Sequence, residues 1–175
     1  MRSTSHVLLV AICIVGCVCK TGEYRPNVRF GLDNFTSRLR LQPEAATKLE
    51  IRDLWDIAPP PQELLDDRAY GIEDRQYFFI VTIRAAHIDS QGNMILRACD
   101  QSNYCIEATL PAIKKVPKSS PFHNLIAAAW QELQPRPVWP QTVILYGMLF
   151  YNPPGTHDGV TGGRISINPV LRLQF

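Results

Sequence analysis

The chain is 175 residues long, 46% hydrophobic, 19% charged and 9% aromatic, with a formal net charge of +2. Those proportions exclude a collagen-like, a wholly disordered and a multi-pass membrane protein, and they leave room for one compact domain with additional segments. The charge is too weak for the concentrated basic face of a nucleic-acid binder, so nucleic acid is not an expected partner.

Arg2 is the one charge before an uncharged run from Val7 to Cys19, which ends at Lys20. A positive n-region followed by a short apolar h-region is the pattern of an export signal. At 1.5 Å per residue the run falls short of the roughly 30 Å of a hydrocarbon core, so a permanent transmembrane anchor is not expected. The run contains Ile14-Val15-Gly16-Cys17, which resembles the lipobox of bacterial lipoproteins. That resemblance implies cleavage after residue 16, lipid on Cys17, and a membrane partner reached through the lipid. Ordinary signal cleavage near Cys19 and an uncleaved anchor are the alternatives.

Residues 17–75 carry nine basic and eleven acidic side chains, a net of −2, with Pro59, Pro60 and Pro61 in a row. They read as a tether and irregular arm, part of it packed on the following domain. Within the arm a helix is predicted from Pro43 to about Trp55, because proline suits a first turn and Ala45, Leu49 and Leu54 can share a side.

From residue 76 onward the texture is that of strands. Gln76 to Ile88 is rich in β-branched and aromatic residues, and Asp89-Ser90-Gln91-Gly92-Asn93 supplies a turn into Met94 to Cys99. A third strand is predicted from Tyr104 to Leu110. Ser119-Ser120-Pro121 then opens a helix with Phe122, Leu125, Ile126, Ala129 and Leu133 at helical spacing. Strands over Thr142–Phe150 and Arg164–Phe175 follow, and Pro169 predicts a bulge or kink in the last. The order of three strands, helix and two strands predicts a mainly β fold: a small five-stranded OB-like Greek-key barrel, with the helix between the third and fourth strands plugging one end.

Three stretches carry a resemblance: Val143 to Tyr151, Gly159-Val160 with Gly162, and Ile165-Ser166-Ile167-Asn168-Pro169-Val170-Leu171. Together they resemble a family of exported bacterial OB-fold-like domains of unknown activity, over residues 76 to 175. The chain departs from that pattern at Asn168, where histidine is expected before the proline. In the first hairpin Asp89 stands alone in place of an acidic cluster. Both departures count against a metal-dependent role.

Cys99 and Cys105 are the only cysteines after residue 19. In an oxidising compartment they can form a disulfide, and otherwise they are two free thiols on facing strands. Lys114, Lys115 and Lys118 form the sharpest basic cluster, and with Tyr104 and Tyr151 as exposed aromatics they are the candidate ligand-binding residues. His87 and Asp89 are two apart, and His157 and Asp158 lie in a glycine-rich loop. These four are the candidates for a rival hydrolytic or metal-dependent enzyme. No recognised catalytic motif frames them, and no catalytic residue, metal or cofactor is assigned. The expectation is an exported, non-enzymatic binding module whose partner is an envelope protein or oligosaccharide. A structural envelope component with no ligand is the third reading.

Overall fold

The computed structural model describes residue 29 and residues 45–57, 71–134, 138–152 and 165–175. Its strands are β1 (Thr47–Lys48), β2 (Gln76–Ile88), β3 (Met94–Cys99), β4 (Cys105–Leu110), β5 (Gln141–Tyr151) and β6 (Ile165–Gln174), with helix α1 (His123–Glu132) between β4 and β5. The strands hydrogen-bond in the order β1-β2-β3-β4-β6-β5, and β5 pairs again with β2, which closes a five-stranded barrel and leaves β1 outside the ring. The parallel contact of β4 with β6, at Ala108 and Ile167, is the Greek-key step. This is the OB-like topology expected from the element order.

Alternation explains the ring. Tyr77, Phe79, Val81 and Ile83 of β2 are buried, while Phe78, Ile80, Thr82 and Arg84 face outward. β2 pairs with β5 from Gln76 to Ile83 and with β3 from Thr82 to Ile88, and a register shift between Ile83 and Ala85 lets the strand turn from one neighbour to the other. Such an irregularity bends the strand and raises its local twist.

β6 is buried on both sides from Ile165 to Leu171. Its polar members are satisfied: the Ser166 hydroxyl lies 2.9 Å from Oδ1 of Asn152, and the Asn168 carboxamide oxygen accepts from Nε and Nη2 of Arg29 at 2.7 Å each. The irregularity expected at Pro169 is present, since the β5–β6 register shifts on both sides of Gly147. A Cβ on Gly147 would collide with Cγ2 of Ile167 and lie 2.8 Å from the Pro169 carbonyl oxygen, so glycine is what permits the approach.

Helix α1 packs mainly on β6. The start expected at Ser119-Ser120-Pro121 is a correction: the helix begins at His123, its N-cap Phe122 has no side-chain cap hydrogen bond, and the Ser120 Oγ accepts the Phe122 N–H at 3.1 Å in the turn before it. Phe122, Ile126, Ala129 and Leu133 are its buried side. Glu132 accepts the backbone N–H of Leu173 at 2.8 Å, and Trp130 Nε1 donates to the Pro111 carbonyl at 2.8 Å.

The helix predicted over Pro43–Trp55 is a correction. Residues 47–48 form β1, parallel to β2, and Ile51–Leu54 form a 3-10 turn. In a 3-10 turn residues i and i+3 eclipse, so Ile51 and Leu54 enter the core together. An α-helix would have removed Thr47 and Lys48 from the free edge of β2 and the Leu49 N–H from the Phe78 carbonyl, to which it donates at 3.2 Å.

Burying Ile165, Ile167, Val170, Leu171 and Leu173 stabilises by roughly 1.5 to 3 kcal/mol each, comparable in sum to the whole stability of a small domain. A chain ending at Gly163 is therefore expected to lose its cooperative thermal transition and aggregate. A soluble truncation that melts cooperatively near the wild-type temperature would refute the closed ring.

Candidate functional site

The turn between β3 and β4 is tightly held. The Asp100 N–H donates to the Tyr104 carbonyl at 2.9 Å, the Tyr104 N–H donates to Asp100 Oδ1 at 3.0 Å, and Asn103 takes a left-handed φ of 67°, which asparagine tolerates. Cys99 and Cys105 flank the turn as cross-strand partners with Cα atoms 4.0 Å apart and their sulfurs bonded. Asn103 also accepts a hydrogen bond from Arg84.

Along the same edge of β2 as this hairpin, beyond the stretch between Phe78 and Thr82, are β1 and the 3-10 turn. Between them is a cleft of about 480 Å³, within the roughly 300–1,000 Å³ of ligand clefts. Lys48, Glu50, Arg52 and Asp53 form one wall, Ile80 of β2 lies at the base, and Asp100, Gln101 and Ser102 form the other wall. Lys48 pairs with Glu50 at 2.9 Å, and Arg52 sits 3.8 Å from Asp53, so the wall offers both donors and acceptors. Two residues along the chain from each wall stand Trp55 and Tyr104, which pack edge to face at 5.6 Å between centroids and 72° between planes. Both stay open, at 44% and 41% exposure.

The residues singled out from the sequence are not all brought together. Tyr104 is exposed as expected, and it belongs to this aromatic pair. Tyr151 is a correction: it is 4% exposed, pairs with Ile165, and burial raises its hydroxyl pKa, with the Glu73 carboxylate adding to the rise. It therefore has no face for a ligand to stack on. Tyr77 is likewise internal, its hydroxyl pushed up to about 12 chiefly by burial. The lysines are separated from Tyr104 by the six residues of β4, about 20 Å at 3.3 Å per residue. Lys114 and Lys118 are exposed, while Lys115 donates to Gln91 in the β2–β3 turn. The basic cluster and Tyr104 therefore form no common groove.

Of the four enzyme candidates, His87 and Asp89 are among the described residues. His87 is an exposed β2 residue paired with Ile95, whereas Asp89 lies beyond the strand end. Its carboxylate accepts from the Gln91 N–H at 2.8 Å, the Asn93 N–H at 2.9 Å and Asn93 Nδ2 at 2.8 Å, and Asn93 in turn accepts the Ala112 N–H at 3.0 Å. Asp89 is an organiser of the turn. His157, Asp158 and Cys17 lie outside the described residues. Among the described residues no three His, Cys, Asp or Glu side chains converge as a metal-ligand set, and no helix is long and apolar enough to cross a membrane.

Partial burial raises the Asp89 pKa, but hydrogen bonds from Asn93 and Gln91, with the Lys115 charge, outweigh it and hold the pKa below the usual value. A depressed folded-state pKa adds stability above the unfolded pKa of about 3.9 and loses it as pH falls through the lower folded value. Asp89→Ala is expected to lower stability by about 1 kcal/mol at pH 7. The gap to wild type should narrow below about pH 4. Urea midpoints at pH 7 and pH 3 check this; an equal gap at both would show that the carboxylate contributes nothing as an anion.

No protein-family model matches the chain, and no curated protein matches it.

Proposed function

We propose that this chain is an exported, lipid-anchored and non-enzymatic binding module of the bacterial cell envelope, which holds an oligosaccharide in the cleft between the 48–53 segment and the 100–102 turn. The observation that carries the reading is the cleft itself beside the open Trp55–Tyr104 pair. Sugars present hydroxyls that both donate and accept, together with flat C–H faces that lie on aromatic rings. The site matches both needs, with ammonium and guanidinium donors, carboxylate acceptors and two open rings. Its two cations and three carboxylates nearly cancel, which suits a hydroxyl-rich ligand and opposes a phosphate-dense one.

Export and anchoring rest on the apolar run that contains Val15-Gly16-Cys17. The commitment of the Asp89 carboxylate to its own turn, where it accepts from Asn93, supports a binding role over the hydrolytic alternative.

Two measurements test the reading. Radiolabelled palmitate should enter the wild-type chain in a bacterial host and not Cys17→Ser; equal labelling would overturn anchoring at that residue. On an array of neutral, uronate-bearing and phosphorylated bacterial oligosaccharides the protein should bind at least one saccharide, and Trp55→Ala should weaken that binding about tenfold, which is about 1.4 kcal/mol. Binding to none of them would overturn the saccharide site.

A further inference from the structure

One row of side chains crosses four adjacent strands on the outer face of the sheet. Lys48 of β1 is the register partner of Phe78 on β2, Phe78 of Tyr146 on β5, and Tyr146 of Arg172 on β6. The Phe78 and Tyr146 rings lie 5.7 Å apart and 32° from parallel, and the Arg172 guanidinium sits 5.6 Å from the Tyr146 centroid. An aromatic centre of two tilted rings is thus bracketed by two cations. Three strand spacings separate the ends, about 14 Å, which is wider than a single sugar.

The row is continuous with the cleft. Lys48 lines both, and Ile80, which lines the cleft at 46% exposure, is on the same side of β2 as Phe78. Among the described residues no carboxylate pairs with Arg172. A guanidinium held over a ring keeps its edge N–H groups directed outward, the geometry that receives a carboxylate through two parallel hydrogen bonds.

We propose that the ligand is an acidic oligosaccharide, which runs from the cleft over the Phe78–Tyr146 platform and places a uronate carboxylate on Arg172. This deepens the saccharide reading and rests on it. Charge selects the class. A single-stranded nucleic acid would also stack on aromatics, but its closely spaced phosphates would meet Glu50, Asp53 and Asp100 at the cleft end. A glycan with acid groups on some residues can place them at Lys48 and Arg172 and give its hydroxyls to the cleft carboxylates. The row also lies on the first, fourth and fifth strands of the barrel, away from the second and third strands whose face OB folds commonly use.

The test uses the full chain, the array above and oligo(dT). Wherever a uronate-bearing saccharide binds, its carboxyl-reduced counterpart should bind about tenfold more weakly. That ratio should fall towards one in Arg172→Gln, and the same fall is expected in Lys48→Gln should the first variant melt early. Uronates no tighter than their reduced counterparts would overturn the acidic assignment and leave the cleft reading standing, and so would a ratio that survives both substitutions. No saccharide binding at all would overturn both. Oligo(dT) bound more tightly than any saccharide would assign the row to nucleic acid instead.

Discussion

Everything in this fold depends on β2 serving two neighbours at once. Thr82 and Ile83 pair with β5 on one edge and β3 on the other, so the strand has no free edge at the point where the barrel must close. A shorter strand could satisfy one partner only, and the sheet would stay open with its backbone donors exposed. The register shift just beyond, between Ile83 and Ala85, supplies the bend that brings β3 round. The parallel contact of β4 and β6 follows as the remaining seam.

The outer surface follows from the same constraint. Because Phe79, Val81 and Ile83 are committed inward, Phe78 and Ile80 are left outside, against a partner strand whose alternation leaves Ile144 and Tyr146 outside as well. Register, and nothing more local, then sets Phe78 opposite Tyr146 and Tyr146 opposite Arg172. The parallel strand β1 extends this plane by one strand and brings Lys48 into it. The cleft is a consequence of adding that strand, since its wall is the chain leaving β1 toward the core residues Ile51 and Leu54.

The barrel was legible in the sequence because its strands have strong period-two patterns and its turns carry Asp, Gly and Asn. β2 and β3 have the predicted limits, and Pro169 announced an irregularity whose counterpart, Gly147, could be recognised only once the register was known. The arm misled because Ala45, Leu49 and Leu54 fit a helix on spacing alone, whereas the free edge of β2 is a tertiary fact. The site was legible in one residue, Tyr104. Trp55 lies 49 positions earlier in the chain, and no periodicity joins them. Tyr151 misled for a related reason: a tyrosine at a strand end near glycines reads as open, and only the burial of β6 against it shows otherwise.

The bond between Cys99 and Cys105 encloses Asp100, Gln101 and Ser102, which are one wall of the cleft. A loop of five residues pinned at its base, and tied within by Asp100, has few conformations left to surrender when a ligand arrives. The opposing wall, with its exposed Lys48, Arg52 and Asp53 side chains, has many. In the proposed binding role the two walls would therefore differ: the turn would be a rigid template that defines shape, and the arm the adaptable side that conforms to the ligand, with side-chain ordering concentrated there.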